Sequence, residues 1–450
     1  MNWSDSLFLF VNAFSLFVTL VFLLTFLQNR EKANKNPKPK RFPEITIIIP
    51  AFNESQTIRK TIRAVCAMNY PKRLKVIVVN DGSTDDTFEL ARREAAAQRA
   101  KAGGRKAVVR VVSQANKGKG AALNKGLSLA RTELVATADA DSYPEQDALL
   151  KAVGYFNDER VGSVTTSIKI HRPRSLVQFV QYVEYVAMNY VRKTSAFLQG
   201  VTCIPGPLSL FRRKALLEVG GFDEKSIVED TEVAYHLQHE GWRIENAFDA
   251  VVECETPYTL RGLVRQRVRW YHGVILNAGK YSKMFFNKKF GNLGWFILPT
   301  NFVAVGLAIF IMFRFLLLIL NKTLALVLGV ETPASSAAAA VAGAGHAAPT
   351  GLNAVVAVVW NYASMLFSPE NIFSFDFLFV AIYLALVLVT LRVGFQAAGE
   401  KFRWKWIPVY VTYLFLYSFV VTATWLVGLL RAAAGAKPTW GRAAAKSSND

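Results

Sequence analysis

The sequence predicts an α/β domain with a mostly parallel sheet, joined to transmembrane α-helices and to amphipathic helices at the membrane interface. Three observations carry this prediction. Between residues 45 and 168, short β-branched runs alternate with amphipathic segments. Outside that region, apolar residues gather into runs long enough to cross a bilayer. The polar clusters Asn53-Glu54, Asp81-Gly82-Ser83 and Asp139-Ala140-Asp141 each follow a predicted strand.

Residues 1–29 form the first transmembrane helix. Residues 7–27 carry no charge and span a bilayer at about 1.5 Å rise per residue. Asp5 stands where a signal peptide needs positive charge, and no small-residue cleavage site ends the run. The linker 30–43 is basic, with Arg30, Lys32, Lys35, Lys38, Lys40 and Arg41. Such a cluster marks the cytoplasmic side, so the α/β domain, residues 44–255, is expected in the cytosol.

Within that domain, residues 45–49, 76–79, 108–112 and 134–136 read as strands. Ile58, Ile62 and Val65 form one buried helix face. Nearly continuous apolar strands alternating with helices argue for parallel pairing, in which ligands bind beyond the carboxyl ends of the strands. The three polar clusters therefore belong on one rim. A second helix, 176–197, reads as a surface helix rich in Tyr and Val.

Residues 256–292 contain amphipathic interface helices. Residues 293–430 form a membrane region with spans near 295–320, 377–396 and 408–430 and an Ala- and Gly-rich linker at 331–350. Tyr410, Tyr413 and Tyr417 make an aromatic stripe on the last span, explained by helix packing or by the lining of a channel. The tail 431–450 is basic. Four spans would leave it outside, against the positive-inside rule, so residues 352–367 are a candidate further span.

The net charge of +20 and pI of about 9.8 call for a polyanionic partner or a membrane surface. The clustered apolar runs assign much of the basic excess to juxtamembrane loops, and membrane lipids become the expected partner. No zinc-finger spacing, RNP signature or dense basic helix is present, so no nucleic-acid partner is expected. Cys66, Cys203 and Cys254 form no Cys-x-x-Cys and read as reduced thiols.

Two nucleotide motifs are excluded. The first strand ends in Pro50-Ala51-Phe52-Asn53-Glu54, without the glycine turn of a dinucleotide fold, and Gly118-Lys119-Gly120 lacks P-loop spacing. Lys119 meets a phosphate or is a solvated lysine at a helix start. Asp139 and Asp141 form a turn, or hold Mg²⁺ or Mn²⁺ bridged to a diphosphate.

Taken in order, Ile49-Pro50-Ala51-Phe52-Asn53-Glu54, Val79-Asn80-Asp81-Gly82-Ser83-Thr84-Asp85, Asn116-Lys117-Gly118-Lys119, Ala138-Asp139-Ala140-Asp141, Gly206-Pro207-Leu208, Glu229-Asp230 and Gln266-Arg267-Val268-Arg269-Trp270 resemble family-2 glycosyltransferases of GT-A fold. The resemblance covers residues 44–275, and the membrane helices make the chain similar to the processive synthases of hyaluronan, chitin oligomers, poly-N-acetylglucosamine and cellulose. It implies a Rossmann-like GT-A domain and a UDP-sugar donor, foremost UDP-N-acetylglucosamine. It implies Mg²⁺ or Mn²⁺ as cofactor and a growing polysaccharide or glycolipid as acceptor. Asn53, Glu54, Asp81 and Lys119 would face the nucleotide, with Asp139 near its ribose or the metal, and Asp141 would ligate the cation. Asp230, with Glu229 beside it, would be the general base, and Gln266, Arg269 and Trp270 would close over diphosphate and acceptor. Gln181, Glu184 and Tyr185 match a stretch near the acceptor. The chain departs from the family at Val228, where Thr is usual, and at Glu232, where Asp is frequent.

The implied activity is inverting, metal-dependent, processive extension of a β-linked extracellular polysaccharide by a multi-pass protein of the inner or plasma membrane. The rivals are transfer of one sugar to a lipid carrier, and a transporter or scaffold with a degenerate transferase domain.

The residues carry chemistry of their own. Asp230 precedes Val233, Ala234 and Leu237 at helical spacing, near a helix N-terminus where the dipole favours an ionised carboxylate. Ser226-Ile-Val-Glu229 equally reads as a capping box. In residues 258–278, Val264, Val268, Tyr271 and Ile275 share one stripe. Gln266, Arg269 and Trp270 share another, suited to a diphosphate and a sugar ring or to lipid headgroups. Arg212 and Arg213 approach phosphate or begin a helix as solvated charges.

Overall fold

The structure, a computed structural model, describes residues 3–101, 107–327 and 375–436. It divides into two compact units, Met1–Val21 with Val303–Thr390 and Phe22–Phe302 with Leu391–Asp450. The second contains the α/β domain.

That domain is built on an eight-stranded sheet of β1 (Ile45–Ala51), β2 (Leu74–Asp81), β3 (Ala107–Gln114), β4 (Leu134–Thr137), β5 (Ser142–Pro144), β6 (Val161–Ile170), β7 (Ser209–Arg212) and β8 (Arg243–Cys254), in the order β3-β2-β1-β4-β7-β6-β8-β5. The first four strands are parallel, as the apolar runs predict. β7 is antiparallel to β4 and β6, β6 pairs β8 in parallel, and β5 closes the edge antiparallel to β8. The sheet is therefore mixed and parallel-rich. The carboxyl ends of β1, β2, β4, β6 and β8 share one rim.

Chain order gives the helices α1 (Trp3–Gln28), α2 (Arg30–Ala33), α3 (Ile58–Ala67), α4 (Thr87–Lys101), α5 (Lys119–Leu129), α6 (Ala148–Val153), α7 (Leu176–Phe197), α8 (Arg213–Glu218), α9 (Glu229–His239) and α10 (Leu260–Lys280). Beyond them lie α11 (Leu298–Val327), α12 (Phe375–Ala397), α13 (Ile407–Val411) and α14 (Ser418–Ala433). Every residue of β1 is buried, because helices cover both sheet faces. Ile47 and Ile49 pack with Ile58 and Ile62 of α3, and Ile48 packs with Leu123 and Leu127 of α5 on the other face.

β6 follows another rule. Thr165, Thr166 and Ser167 are buried, and their hydroxyls donate to the carbonyls of Glu245, Leu208 and Phe248. A buried strand rich in satisfied hydroxyls has no hydropathy signature. The helix expected at the surface, α7, has both its expected bounds, but Gln181, Glu184 and Tyr185 are all buried within it. Its start is a capping box, in which Ser175 Oγ accepts from Gln178 N at 3.2 Å.

Four helices among the described residues are long and apolar enough to cross a membrane: Leu9–Gln28, Leu293–Asn321, Leu378–Ala397 and Trp404–Ala433. They coincide with the four expected spans. The candidate span at 352–367, the linker at 331–350 and the tail beyond 436 lie outside the described residues.

Candidate active site

The rim loops are tied to one another by side chains. Asn53, in the left-handed region at φ 54°, accepts at Oδ1 from Thr84 N at 2.9 Å, and its own N–H donates to Ser83 Oγ at 3.0 Å. Glu54 N donates to Thr87 Oγ1 at 2.7 Å. Gly82 completes the turn at φ +70°, where a Cβ would come within 2.7 Å of Asn116 N. Asp81 is 1% exposed and accepts from Gln114 Nε2 at 2.8 Å, Lys117 N at 3.0 Å and Gly118 N at 2.8 Å. It thus fixes the loop that opens α5, and with it the position of Lys119.

Lys119 Nζ lies 2.8 Å from Asp139 Oδ1 and 2.8 Å from Glu229 Oε1. One cation therefore joins the end of β4 to the first turn of α9. Burial alone would lower the Lys119 pKa, but the charges of Asp139, Glu229 and Asp230 outweigh it and hold the ammonium protonated. Gly206 gives this bridge its room, since a Cβ there would sit 2.6 Å from both Asp139 carboxylate oxygens and 2.7 Å from Lys119 Nζ.

Asp230 stands at the second position of α9, where its Oδ1 accepts from Thr231 N at 2.8 Å. Burial and the neighbouring Glu229 push its pKa up to about 6, against the pull of Lys119, Arg269 and the Thr231 N–H. A carboxylate so poised accepts a proton near neutral pH. Its other oxygen is met by the Cys203 thiol at 3.6 Å, a contact that no spacing in the sequence signals.

The segment before Asp230 is clamped by α10. Arg269 Nη1 donates to Ile227 O at 3.1 Å and Asn277 Nδ2 to Val228 O at 3.3 Å. Val228 is buried against Gly273, whose missing side chain it fills: a Cβ there would lie 2.3 Å from Val228 Cγ2. An apolar residue at this position thus has a packing role. The capping box read at Ser226 does not form. The N-cap of α9 is Val228, without a side-chain cap, and Glu229 is engaged by Lys119 instead.

The carboxylate pair Asp139 and Asp141 flanks the β4–β5 turn. Cys254 is held protonated by burial, then by Asp141 and Asp139, so both carboxylates act on the same buried thiol. Among the described residues, no three His, Cys, Asp or Glu side chains converge on one point. Carboxylate oxygens are the donor type that Mg²⁺ or Mn²⁺ takes, and a thiol kept neutral adds no sulfur donor. The residues fit such an ion.

One expectation on α10 changes. Its buried residues include Leu263, Arg267, Val268, His272 and Asn277, whereas Val264, Tyr271 and Ile275 of the expected apolar stripe are half-buried. The reason is a buried ion network. Arg267, with no exposure, donates to the carboxylate of Glu184 on α7, and Tyr417 Oη donates to the same oxygen at 2.7 Å. The Arg267 guanidinium also lies 4.1 Å from the Trp270 ring centroid and 2.7 Å from Gln266 Oε1. Tyr271 stacks on Trp425 of α14 at 4.2 Å. Tyr417 of the aromatic stripe therefore ties a span to the domain by a hydrogen bond.

Arg212 does not approach the rim. Paired with Leu134 at the start of β4, it lies at the opposite sheet edge and donates to the carbonyls of Val161, Phe156 and Asp158. Arg213 begins α8.

The α/β sheet thus gathers a carboxylate pair, a bridging lysine and the half-buried Asp230 on one side. The profile described as glycosyltransferase like family 2 matches residues 43–273, more than half of the 450-residue chain, and the chain belongs to that family. It is 35% identical over 248 residues to the poly-beta-1,6-N-acetyl-D-glucosamine synthase of Staphylococcus aureus (strain COL), covering 54% of this chain and 58% of the relative. To the probable glycosyltransferase YdaM of Bacillus subtilis (strain 168) it is 31% identical over 270 residues, covering 59% of this chain and 63% of the relative. The chain thus spans about 60% of the length of these relatives. Among solved structures, the mannosyltransferase PcManGT from Pyrobaculum calidifontis, in complex with GDP-Man and Mn²⁺, aligns over 90% of this chain and 99% of its own, with 22% identity and a TM-score of 0.49.

Proposed function

We propose that the chain is an inverting, metal-dependent, processive glycosyltransferase that uses UDP-N-acetylglucosamine to extend a β-linked polysaccharide at the membrane, with its α/β domain in the cytosol. The observation that carries the reading is the Asp139–Lys119–Glu229 bridge, which ties one carboxylate of the pair to the neighbour of the half-buried Asp230. The similarity to a poly-N-acetylglucosamine synthase supports the choice of sugar.

In this reading Asp230 takes the proton of the acceptor hydroxyl as that oxygen bonds to the anomeric carbon, and the bond from that carbon to the diphosphate breaks. One displacement inverts the configuration. Lys119 keeps Asp230 ionised and Asp139 oriented, while Arg269 and Asn277 hold the backbone that presents the base. Trp270, stacked on Arg267, offers a ring face to the acceptor sugar. Asp139 and Asp141 would hold Mg²⁺ or Mn²⁺, which when bound would neutralise charge growing on the departing phosphate.

The test is UDP release by the purified full chain from a panel of nucleotide sugars with Mg²⁺ or Mn²⁺, followed by sizing of the product. Release from UDP-N-acetylglucosamine with a polymeric product is expected. No release from any donor contradicts the reading, and a single-sugar glycolipid replaces polymer extension with transfer to a lipid carrier.

A further inference from the structure

A polar cavity of about 480 Å³ lies where the chain leaves β6 and β8. It is lined by His171, Arg172 and Arg174 after β6, by Glu255, Thr256 and Tyr258 after β8, and by Lys60 of α3. None of the residues assigned to donor or base lines it. Glu255 connects the two regions, donating its N–H to Asp141 O at 3.2 Å.

Its charge is positive and available. Lys60, Arg172 and Arg174 are exposed and, among the described residues, stand in no ion pair, whereas His171 is paired with Glu253 and Glu255 accepts from Tyr143 Oη at 3.3 Å. Two long helices begin here, α7 at Ser175 and α10 at Thr259, joined by the Ser175 Oγ bond to Tyr258 O at 3.0 Å. Their positive dipole ends add to the field of the side chains. Arg172 sits at φ 45°, in the left-handed region, so the backbone at this turn is held in an uncommon conformation.

Exposed apolar side chains accompany the lining. Tyr258 lines the cavity at 69% exposure, and Leu176 and Leu260, at 57% and 53%, open α7 and α10 next to it in the chain. One helical turn further along α7, the Phe179 and Tyr182 rings meet Trp406 at 5.2 and 5.4 Å, where the segment Trp404–Ala433 begins its span. Cations interleaved with exposed apolar and aromatic side chains at the start of a span are the composition of a headgroup layer.

We propose that this cavity is an anion site, separate from the donor site, that binds a phosphate group through Arg172, Arg174 and Lys60, presented by an anionic lipid headgroup or free in solution. The test is calorimetric titration of the full chain in a neutral detergent with dihexanoyl phosphatidate, dihexanoyl phosphatidylcholine and inorganic phosphate. Phosphatidate is expected to bind once per chain, and the net-neutral phosphatidylcholine about tenfold or more weaker. Competition by equimolar inorganic phosphate identifies free phosphate as sufficient; phosphatidate binding that resists it identifies the lipid as the source.

The variant R172N/R174Q, with Asn tolerating the left-handed position, is expected to lose phosphatidate affinity by about tenfold or more while its unfolding midpoint and its KM for the nucleotide sugar stay unchanged. Equal phosphatidate binding by the variant overturns the proposal. Displacement of phosphatidate by UDP does so as well, because the cavity then belongs to the donor cleft.

Discussion

The rim around β1, β2 and β4 and the region where α7, α10 and the last span meet are both rich in buried polar groups, yet they are held differently. On the rim, short bonds between neighbouring loops fix Asn53, Asp81 and Lys119, and one lysine carries the charge balance of several acids. At the other region one buried arginine is matched by Glu184, 83 residues away in the chain, and that carboxylate also accepts from Tyr417, 233 residues from it. The rim sets a pKa near working pH. The Arg267 network fixes a ring and a helix in place. Polar burial in the first raises the proton affinity of one acid, and in the second it holds elements in place.

The comparison can be broken most severely at the metal pair. Asp141→Ala is expected to abolish metal-dependent UDP release while the membrane fold persists, checked by turnover and by an unchanged elution profile. Full activity would remove the carboxylate pair from the reaction.

Lys119→Met comes next. Removing the cation leaves Glu229 and Asp230 facing each other without neutralisation, so turnover is expected to fall about 10²-fold. Because Lys119 pulls the Asp230 pKa down, the surviving activity should titrate at a higher pH than in the unmutated chain. In the unmutated chain, a base with pKa of about 6 is ionised above that value. UDP release at low donor concentration should therefore fall about tenfold for each pH unit below 6, and a profile flat from pH 5 to 8 would separate Asp230 from the rate.

Glu184→Ala sharpens the other half. It strands a buried guanidinium, at an expected cost of about 3–5 kcal/mol, read as a lower unfolding midpoint in the same detergent. Arg212→Gln marks the lower end of the scale. Its guanidinium serves carbonyls at the far sheet edge, so UDP release should change less than twofold.

The difference between the two regions also explains what the sequence made legible. β1 to β4 are apolar runs at regular intervals, and the polar residues at their ends had to meet once the strands were parallel. Asp139, Lys119 and Asp230 were readable for that reason and through motif order. β5 to β8 were not read as strands, because β5 and β7 are short and β6 buries hydroxyls rather than methyls. Glu184 was marked for the acceptor, but its engagement by Arg267 and Tyr417 depends on contacts across long sequence separations, which no periodicity encodes. The same holds for Cys203 beside Asp230. Gln266, Arg269 and Trp270 are half-buried, as are Val264, Tyr271 and Ile275 of the expected apolar stripe, because the deepest burial on this helix goes to Arg267.

The central claim is that Asp230 is the base. The most direct measurement is UDP release by the Asp230→Asn variant beside the unmutated chain, with UDP affinity measured on both. The account predicts turnover lower by about 10²–10⁴-fold at unchanged UDP affinity. Turnover within a few fold of the unmutated chain would contradict it.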